Sequence, residues 1–161
     1  MPINIRVGFG FDVHRLEAGE QMILGGISIP SQKKANGHSD ADVLIHAICD
    51  ALLGAAGLRD IGVHFPNTDA TIKGIDSKIL LKKVMDMLSD KGYRIGNIDA
   101  TVCLENPKIN PHIESMKKIL APILEIAESD IGIKATTNEG LGYVGREDGV
   151  NAYAVALLIG S

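Results

Sequence analysis

Between Val43 and Gly57 the only strongly polar side chains are those of His46 and Asp50. The acceptor-rich segment Ser39-Asp40-Ala41-Asp42 precedes this run and is suited to satisfying orphan amides, so the pattern predicts a helix from Ser39 to about Gly57. A helix that is apolar almost all round has no solvated face and must be wrapped by the rest of the chain. At 161 residues, 45% of them hydrophobic, the chain can build one such core and is short for two. A single domain over residues 1–161 is therefore expected.

The remaining elements supply the wrapping. Ile5, Val7, Phe9 and Phe11 alternate with Arg6, Gly8, Gly10 and Asp12, the period of a first strand. Met22-Ile23-Leu24 and Ile27-Ser28-Ile29 flank Gly25-Gly26, a two-residue hairpin signal. A second helix fits Ser77 to Lys91, with Leu80, Val84, Met87 and Leu88 in one stripe and Gly92 as its stop. Ile98, Ala100, Val102 and Leu104 alternate as a strand. Asn110-Pro111 opens a third helix with Ile113, Met116, Leu120 and Leu124 on one face, which Pro122 should kink or end early. Ile131 to Ala135 and Tyr153 to Ile159 read as strands, the last apolar on both sides and hence central. This order predicts an α+β fold, helices packed on one face of a mainly antiparallel or mixed sheet.

A formal net charge of -4 argues against a nucleic-acid footprint. Cys49 and Cys103 stand far apart in apolar contexts and match no metal or redox spacing, which suits reduced buried thiols in a cytoplasmic protein. The first residues carry no apolar core of signal-peptide length, and no run is long enough to span a bilayer.

Two constellations carry chemistry. Asp12 and His14, two residues apart on a strand, point the same way, while Phe11 and Val13 point the other. On the helix, Asp42, His46, Cys49 and Asp50 fall on one face. The helix alone better suits a core histidine hydrogen-bonded to a neighbouring carboxylate. Taken with the strand, Asp12, His14 and His46 form a three-ligand metal set whose fourth position stays open for substrate. His38 and Ser39 sit at the helix mouth, where amides and dipole favour a phosphate, or they simply cap it. The turn-rich loop from Asp60 to Asp69 suits hydroxyl binding or an ordinary surface turn. In Lys134-Ala135-Thr136-Thr137-Asn138-Glu139-Gly140, the threonines suit phosphate oxygens and Glu139 suits a hard cation. Arg146 can pair with a phosphate or with Glu147 or Asp148.

The segments Gly10-Phe11-Asp12-Val13-His14-Arg15, His38-Ser39-Asp40-Ala41-Asp42, Asp60-Ile61-Gly62, Lys134-Ala135-Thr136-Thr137 and Gly145-Arg146 occur in an order and spacing that resembles the cyclodiphosphate synthase family of the non-mevalonate isoprenoid pathway. The resemblance runs from about Val7 to Leu158. It implies a phosphorus-oxygen lyase that cyclises 4-diphosphocytidyl-2-C-methyl-D-erythritol 2-phosphate to the 2,4-cyclodiphosphate and releases CMP. It also implies zinc on Asp12, His14 and His46, with His38 and Ser39 on the 2-phosphate, and Asp60, Ile61, Gly62, Phe65, Asn67 and Asp69 in the loop that helps them.

The same resemblance places cytidine in the segment Leu104 to Asn110, including Pro107, Lys108 and Ile109, with Ala135, Thr136 and Thr137, and has His38 and Thr137 support developing charge. A second divalent cation, magnesium or manganese, would lie near Glu139. The implied assembly is a homotrimer with active sites between subunits. Tyr143 and Arg146 complete the implied binding set, and an axial cavity near Arg146 would accept an isoprenoid diphosphate. Asn67, Tyr143 and Glu147-Asp148 depart from the residues the family more often has. A metal-dependent phosphohydrolase with water in the open position, and a non-enzymatic isoprenoid-diphosphate binding module with a structural zinc, are the competing readings. The structural zinc would need a fourth ligand from Asp42, Asp50 or His64.

Overall fold

The computed structural model describes residues 2–161. The chain forms β1 (Ile5–Ala18), β2 (Gln21–Leu24), β3 (Ile27–Pro30), β4 (Lys33–Asn36), α1 (Val43–Ala55), α2 (Ile61–His64), α3 (Ser77–Asp90), β5 (Tyr93–Cys103), α4 (Ile113–Leu124), β6 (Ile131–Thr136), α5 (Gly142–Gly145) and β7 (Gly149–Gly160). A five-stranded sheet runs β4-β1-β7-β5-β6, and β2-β3 form a separate hairpin. Only β5 and β6 pair in parallel, so the sheet is mixed and the expected α+β class holds. β7 is central, as its apolar composition predicts. Among the described residues no helix is long and apolar enough to cross a membrane.

What sets the layer spacing is the absence of side chains where α1 crosses β1. A Cβ on Gly8 would lie 1.9 Å from the Ala51 carbonyl oxygen, and one on Gly10 would lie 1.9 Å from that of Ala47. Ala47, Ala51 and Ala55 recur every fourth residue and line the helix face above this floor. On β7, Ala152, Ala154 and Ala156 sit opposite Asp12, Gly10 and Gly8 and are fully buried. The helix therefore lies almost on the strand backbones. The same β1 face then continues to Asp12 and His14, beside the point where α1 carries His46.

Asp42 fixes the start of that helix. Its carboxylate accepts from Ile45 N at 3.1 Å within α1, and from Gly25 N at 3.0 Å and Gly26 N at 2.8 Å in the β2-β3 turn. Gly25 and Gly26 have φ of 60° and 80°, the left-handed pair that a two-residue hairpin requires. The expected helix start at Ser39 is thus corrected to Val43. Asp42 belongs to this capping contact and not to a polar stripe with His46.

Other boundaries also move. β1 runs to Ala18 because it pairs β7 up to Arg15 and then β4 as far as Ala18, which leaves Asp12 and His14 in mid-strand. α4 passes through Pro122 and ends two residues later, where Glu125 in a left-handed conformation donates its N–H to Ala121 O. In the last turn a proline removes only one helical donor. The short elements β4, α2 and α5 had no distinct signal in the sequence. Cys49 and Cys103 are free and buried, as expected.

α1, α3 and α4 cover one face of the sheet. The other face leaves Ile5, Val7, Phe9, Phe11 and Val13 of β1 and Tyr153 and Val155 of β7 exposed, Val7 by 65% and Phe9 by 62%. Phe9 and Phe11 pack against the Tyr153 ring at centroid separations of 6.2 and 5.2 Å.

Gly10→Ala is expected to destabilise the chain by about 1–3 kcal/mol or more, since the added carbon must displace helix backbone and not a flexible side chain. Urea unfolding checks this, and a silent substitution would contradict the close approach of α1.

Candidate active site

Asp12 and His14 from β1 and His46 from α1 place Asp12 Oδ2, His14 Nε2 and His46 Nδ1 in a triangle. Its edges are 2.8 Å (Asp12–His14), 3.0 Å (Asp12–His46) and 3.2 Å (His14–His46). Four donors around an ion with bonds of about 2.0 Å stand about 3.3 Å apart in a tetrahedron, so the triangle closely matches one face of a zinc site. Each imidazole is oriented from behind. His14 Nδ1 donates to the Asn36 carbonyl at 3.1 Å, which turns Nε2 toward Asp12 and His46. His46 Nε2 lies 2.8 Å from Ser77 Oγ and 3.1 Å from Ser39 Oγ, on the side away from Asp12. Among the described residues this is the one group of three or more such side chains with its donor atoms together.

Burial alone would raise the Asp12 pKa, but hydrogen bonds from His14 and His46 hold it at about 2. For His46 burial opposes the charge, and the hydrogen bond and charge of Asp12, joined by Asp42 and Asp40, overcome it and raise the pKa above 6.5. In the metal-free chain this proton takes the place of a cation between the donors. The residues fit a divalent ion: one carboxylate and two imidazoles, borderline donors of the kind zinc prefers.

Among the described residues a fourth protein ligand is not at hand. Asp42 is committed to three backbone amides, Asp50 accepts from Ile61 N at 2.7 Å, and His64 Nε2 donates to Leu58 O at 2.7 Å. Burial raises the Cys49 thiol pKa well above its ordinary value, and it joins no donor group. Three donors with an open side are the arrangement of a reactive centre and not of a structural one.

The open side faces a cleft of about 500 Å³. Its walls bring together the three donors with His38, Ser39, Asp60, Ile61, Gly62, Phe65 and Asn67 from the expected set, and Asp50 besides. Asp60 caps α2, accepting from Gly62 N at 3.2 Å. Asp69 contributes through its backbone: its carbonyl accepts from His38 Nε2 at 2.9 Å, while its carboxylate is held by Thr71.

A separate groove of about 150 Å³ gathers Leu104, Pro107, Lys108, Ile109, Asn110, Ala135, Thr136 and Thr137 at the ends of the parallel pair β5-β6. Glu105, inside the expected segment Leu104 to Asn110, also lines it and accepts from Asn138 N at 3.3 Å and Gly140 N at 3.1 Å. Thr137 Oγ1 accepts from Glu139 N at 3.3 Å, and Glu139 is exposed with φ of 54°. Thr137 and Glu139 are therefore not among the walls of the cleft within one chain. Tyr143 accepts from Asn151 Nδ2 at 2.6 Å and lines a third cavity beside Val13 and Asp148. Arg146 is exposed and pairs through Nε with Asp148 at 3.1 Å.

Asp40, Asn36 and Ser77 were also missed. Ser77 reads from sequence only as the first residue of a helix, and nothing in its neighbours places it beneath His46. Asn36 acts through a backbone carbonyl, which no residue type can announce.

Fold and site together define a single-domain α+β protein with an open group of three donors, suited to a metal ion, beside a polar cleft. The chain belongs to the YgbB family, whose model matches residues 5–159. It is 64% identical over 157 residues to the 2-C-methyl-D-erythritol 2,4-cyclodiphosphate synthase of Cytophaga hutchinsonii, covering 98% of this chain and 99% of that one. A solved structure of 2C-methyl-D-erythritol-2,4-cyclodiphosphate synthase in a CDP-bound form is 38% identical. It superposes with a TM-score of 0.87, covering 95% of this chain and 99% of that chain. The bifunctional IspDF of Campylobacter jejuni gives a TM-score of 0.95 at 38% identity, over 99% of this chain and 43% of that longer one.

Zinc affinity, measured by competition with a chromophoric chelator, should fall with pH once His46 is protonated, by up to tenfold per unit below its raised pKa. The metal-free chain behaves oppositely. With its folded pKa raised, His46 contributes full stability below about 6.5 and loses that contribution as pH rises through the raised value. His46→Ala should cost more zinc affinity than the roughly 10–100-fold of an outer-contact loss.

Proposed function

We propose that this chain catalyses the metal-dependent cyclisation of 4-diphosphocytidyl-2-C-methyl-D-erythritol 2-phosphate to 2-C-methyl-D-erythritol 2,4-cyclodiphosphate, releasing CMP, as a phosphorus-oxygen lyase of isoprenoid precursor synthesis. The observation that carries it is the open Asp12-His14-His46 triangle at the wall of the polar cleft. The synthases named among its relatives support the same reading.

Zinc held by Asp12, His14 and His46 would supply Lewis-acid polarisation of a phosphate oxygen. His38, its ring fixed by the Asp69 carbonyl, and Ser39 hold the 2-phosphate in the cleft. Asp60, Ile61, Gly62, Phe65 and Asn67 form the wall for the carbon chain and its hydroxyls. The nucleophile is already an anion, so no strong base is required, and positioning is the main demand on the protein. The groove between Leu104 and Thr137 holds cytidine, consistent with the CDP-bound neighbour. Thr137 supports developing charge on the phosphates. Glu139 offers an exposed carboxylate for a second cation, magnesium or manganese.

Homotrimeric assembly accounts for two features at once. The exposed β1-β7 face carries side chains that would each contribute about 1.5–3 kcal/mol on full burial, a cost that a solitary chain leaves unrecovered. The cleft and the cytidine groove are separate in one chain, so one substrate spanning both suits a site shared by adjacent subunits. An isoprenoid diphosphate in an axial cavity would have to compete with Asp148 for Arg146. The cytoplasm suits two free buried thiols.

Phosphorus NMR of the protein with this substrate, magnesium and zinc should show cyclic diphosphate and equimolar CMP, and His46→Ala should abolish both. Inorganic phosphate alone would replace this reading with a hydrolase, and unchanged substrate with metal bound would favour a binding module. Val7→Asp is expected to yield monomers in sedimentation analysis, because it places a charge on the apolar stripe.

A further inference from the structure

We propose that Ser77 and Asp40 are a positioning pair for the metal-facing imidazole of His46, accepting from its Nε2–H so that Nδ1 faces Asp12 and His14. The inference rests on the metal reading of Asp12, His14 and His46.

Ser77 is fully buried at the first position of α3, directly behind His46. Its Oγ lies 2.8 Å from His46 Nε2 and also donates to Asp40 Oδ1. A carboxylate can only accept, so the Ser77 hydroxyl proton belongs to Asp40 and its oxygen is left to accept from His46. The chain of donors then has one direction: His46 Nε2–H to Ser77, Ser77 O–H to Asp40. A metal held through Nδ1 would leave Nε2–H as the one ring donor, and this chain then fixes the ring; without a metal, Nδ1 donates to Asp12 Oδ2 at 3.0 Å. Asp40 is itself held rigidly: Oδ2 accepts from Ser77 N at 2.9 Å, Oδ1 accepts from Asp42 N at 3.2 Å, and its own N donates to Ile75 O at 3.0 Å.

Ser39 is the competitor. Its Oγ stands 3.1 Å from the same Nε2, a longer contact than that of Ser77, and it is only partly buried at the cleft wall. One N–H cannot serve both hydroxyls well, and the shorter contact with the fixed donor direction assigns it to Ser77. Ser39 Oγ also accepts from Ala41 N at 3.3 Å, and its own hydroxyl hydrogen is free whichever serine accepts from His46.

The plainer role for Ser77 and Asp40 is to anchor the start of α3. Ser77→Ala separates the two, because it keeps the backbone N–H to Asp40 Oδ2 and removes only the hydroxyl. The test is chelator-competition zinc affinity, together with the nitrogen-15 shift of His46 Nε2 in the zinc-loaded protein, for wild type, Ser77→Ala, Asp40→Asn and Ser39→Ala. The expected result is a 10–100-fold loss of zinc affinity in Ser77→Ala, with the His46 Nε2 shift moving as its proton loses the Ser77 acceptor. Asp40→Asn, which never touches His46, should shift both readouts in the same direction. Ser39→Ala should leave both unchanged and raise KM instead. Wild-type protein that binds no zinc would overturn the metal reading itself. Zinc-binding wild type with unchanged affinity and unchanged His46 Nε2 shift in folded Ser77→Ala would overturn the positioning role alone.

Discussion

The close approach of α1 to the backbone of β1 is the constraint on which the rest of this molecule depends. Gly8 and Gly10 provide no side chain between the layers, and Ala47 and Ala51 bring the helix down onto them. A larger residue at any of these positions would raise the helix and carry His46 away from Asp12 and His14. The triangle of metal donors is thus a product of packing: two residues continue a strand face whose earlier members are glycines, and the third rides on the helix that those glycines admit. Asp42 secures the other end of the arrangement by tying the first turn of α1 to the β2-β3 turn.

Much of this was legible from the chain itself. The greasy helix, the hairpin at Gly25-Gly26, the central last strand and the trio Asp12, His14 and His46 all leave periodic or compositional marks. The features that escaped do so for physical reasons. Asp42 looked like a member of a polar helix face, but a buried carboxylate is satisfied best by backbone amides, and those came from a turn sixteen and seventeen residues away. Pro122 looked like a helix breaker, yet in a final turn little remains to break. Ser77, Asp40 and the Asn36 carbonyl act from behind the ligands, and such contacts depend on tertiary approach that no local pattern encodes.

The two faces of the sheet have opposite economies. One is sealed by α1, α3 and α4 over small residues, while the other keeps a row of large apolar side chains in the open. The sealed face positions the donors. On the open face, Phe9, Phe11 and Tyr153 already pack on one another along adjacent strands, which presents a ready-made surface of defined shape to whatever covers it.

The donor group also acts as a filter through the number and kind of its atoms. Calcium gathers about six to eight oxygens, whereas these side chains offer one carboxylate and two imidazole nitrogens. Recruiting further donors from the core would mean lifting α1 from the strand or breaking the contact that holds each imidazole from behind. An ion content with few, nitrogen-rich partners would enter without such rearrangement, while one that needs an oxygen cage would find most of its shell missing.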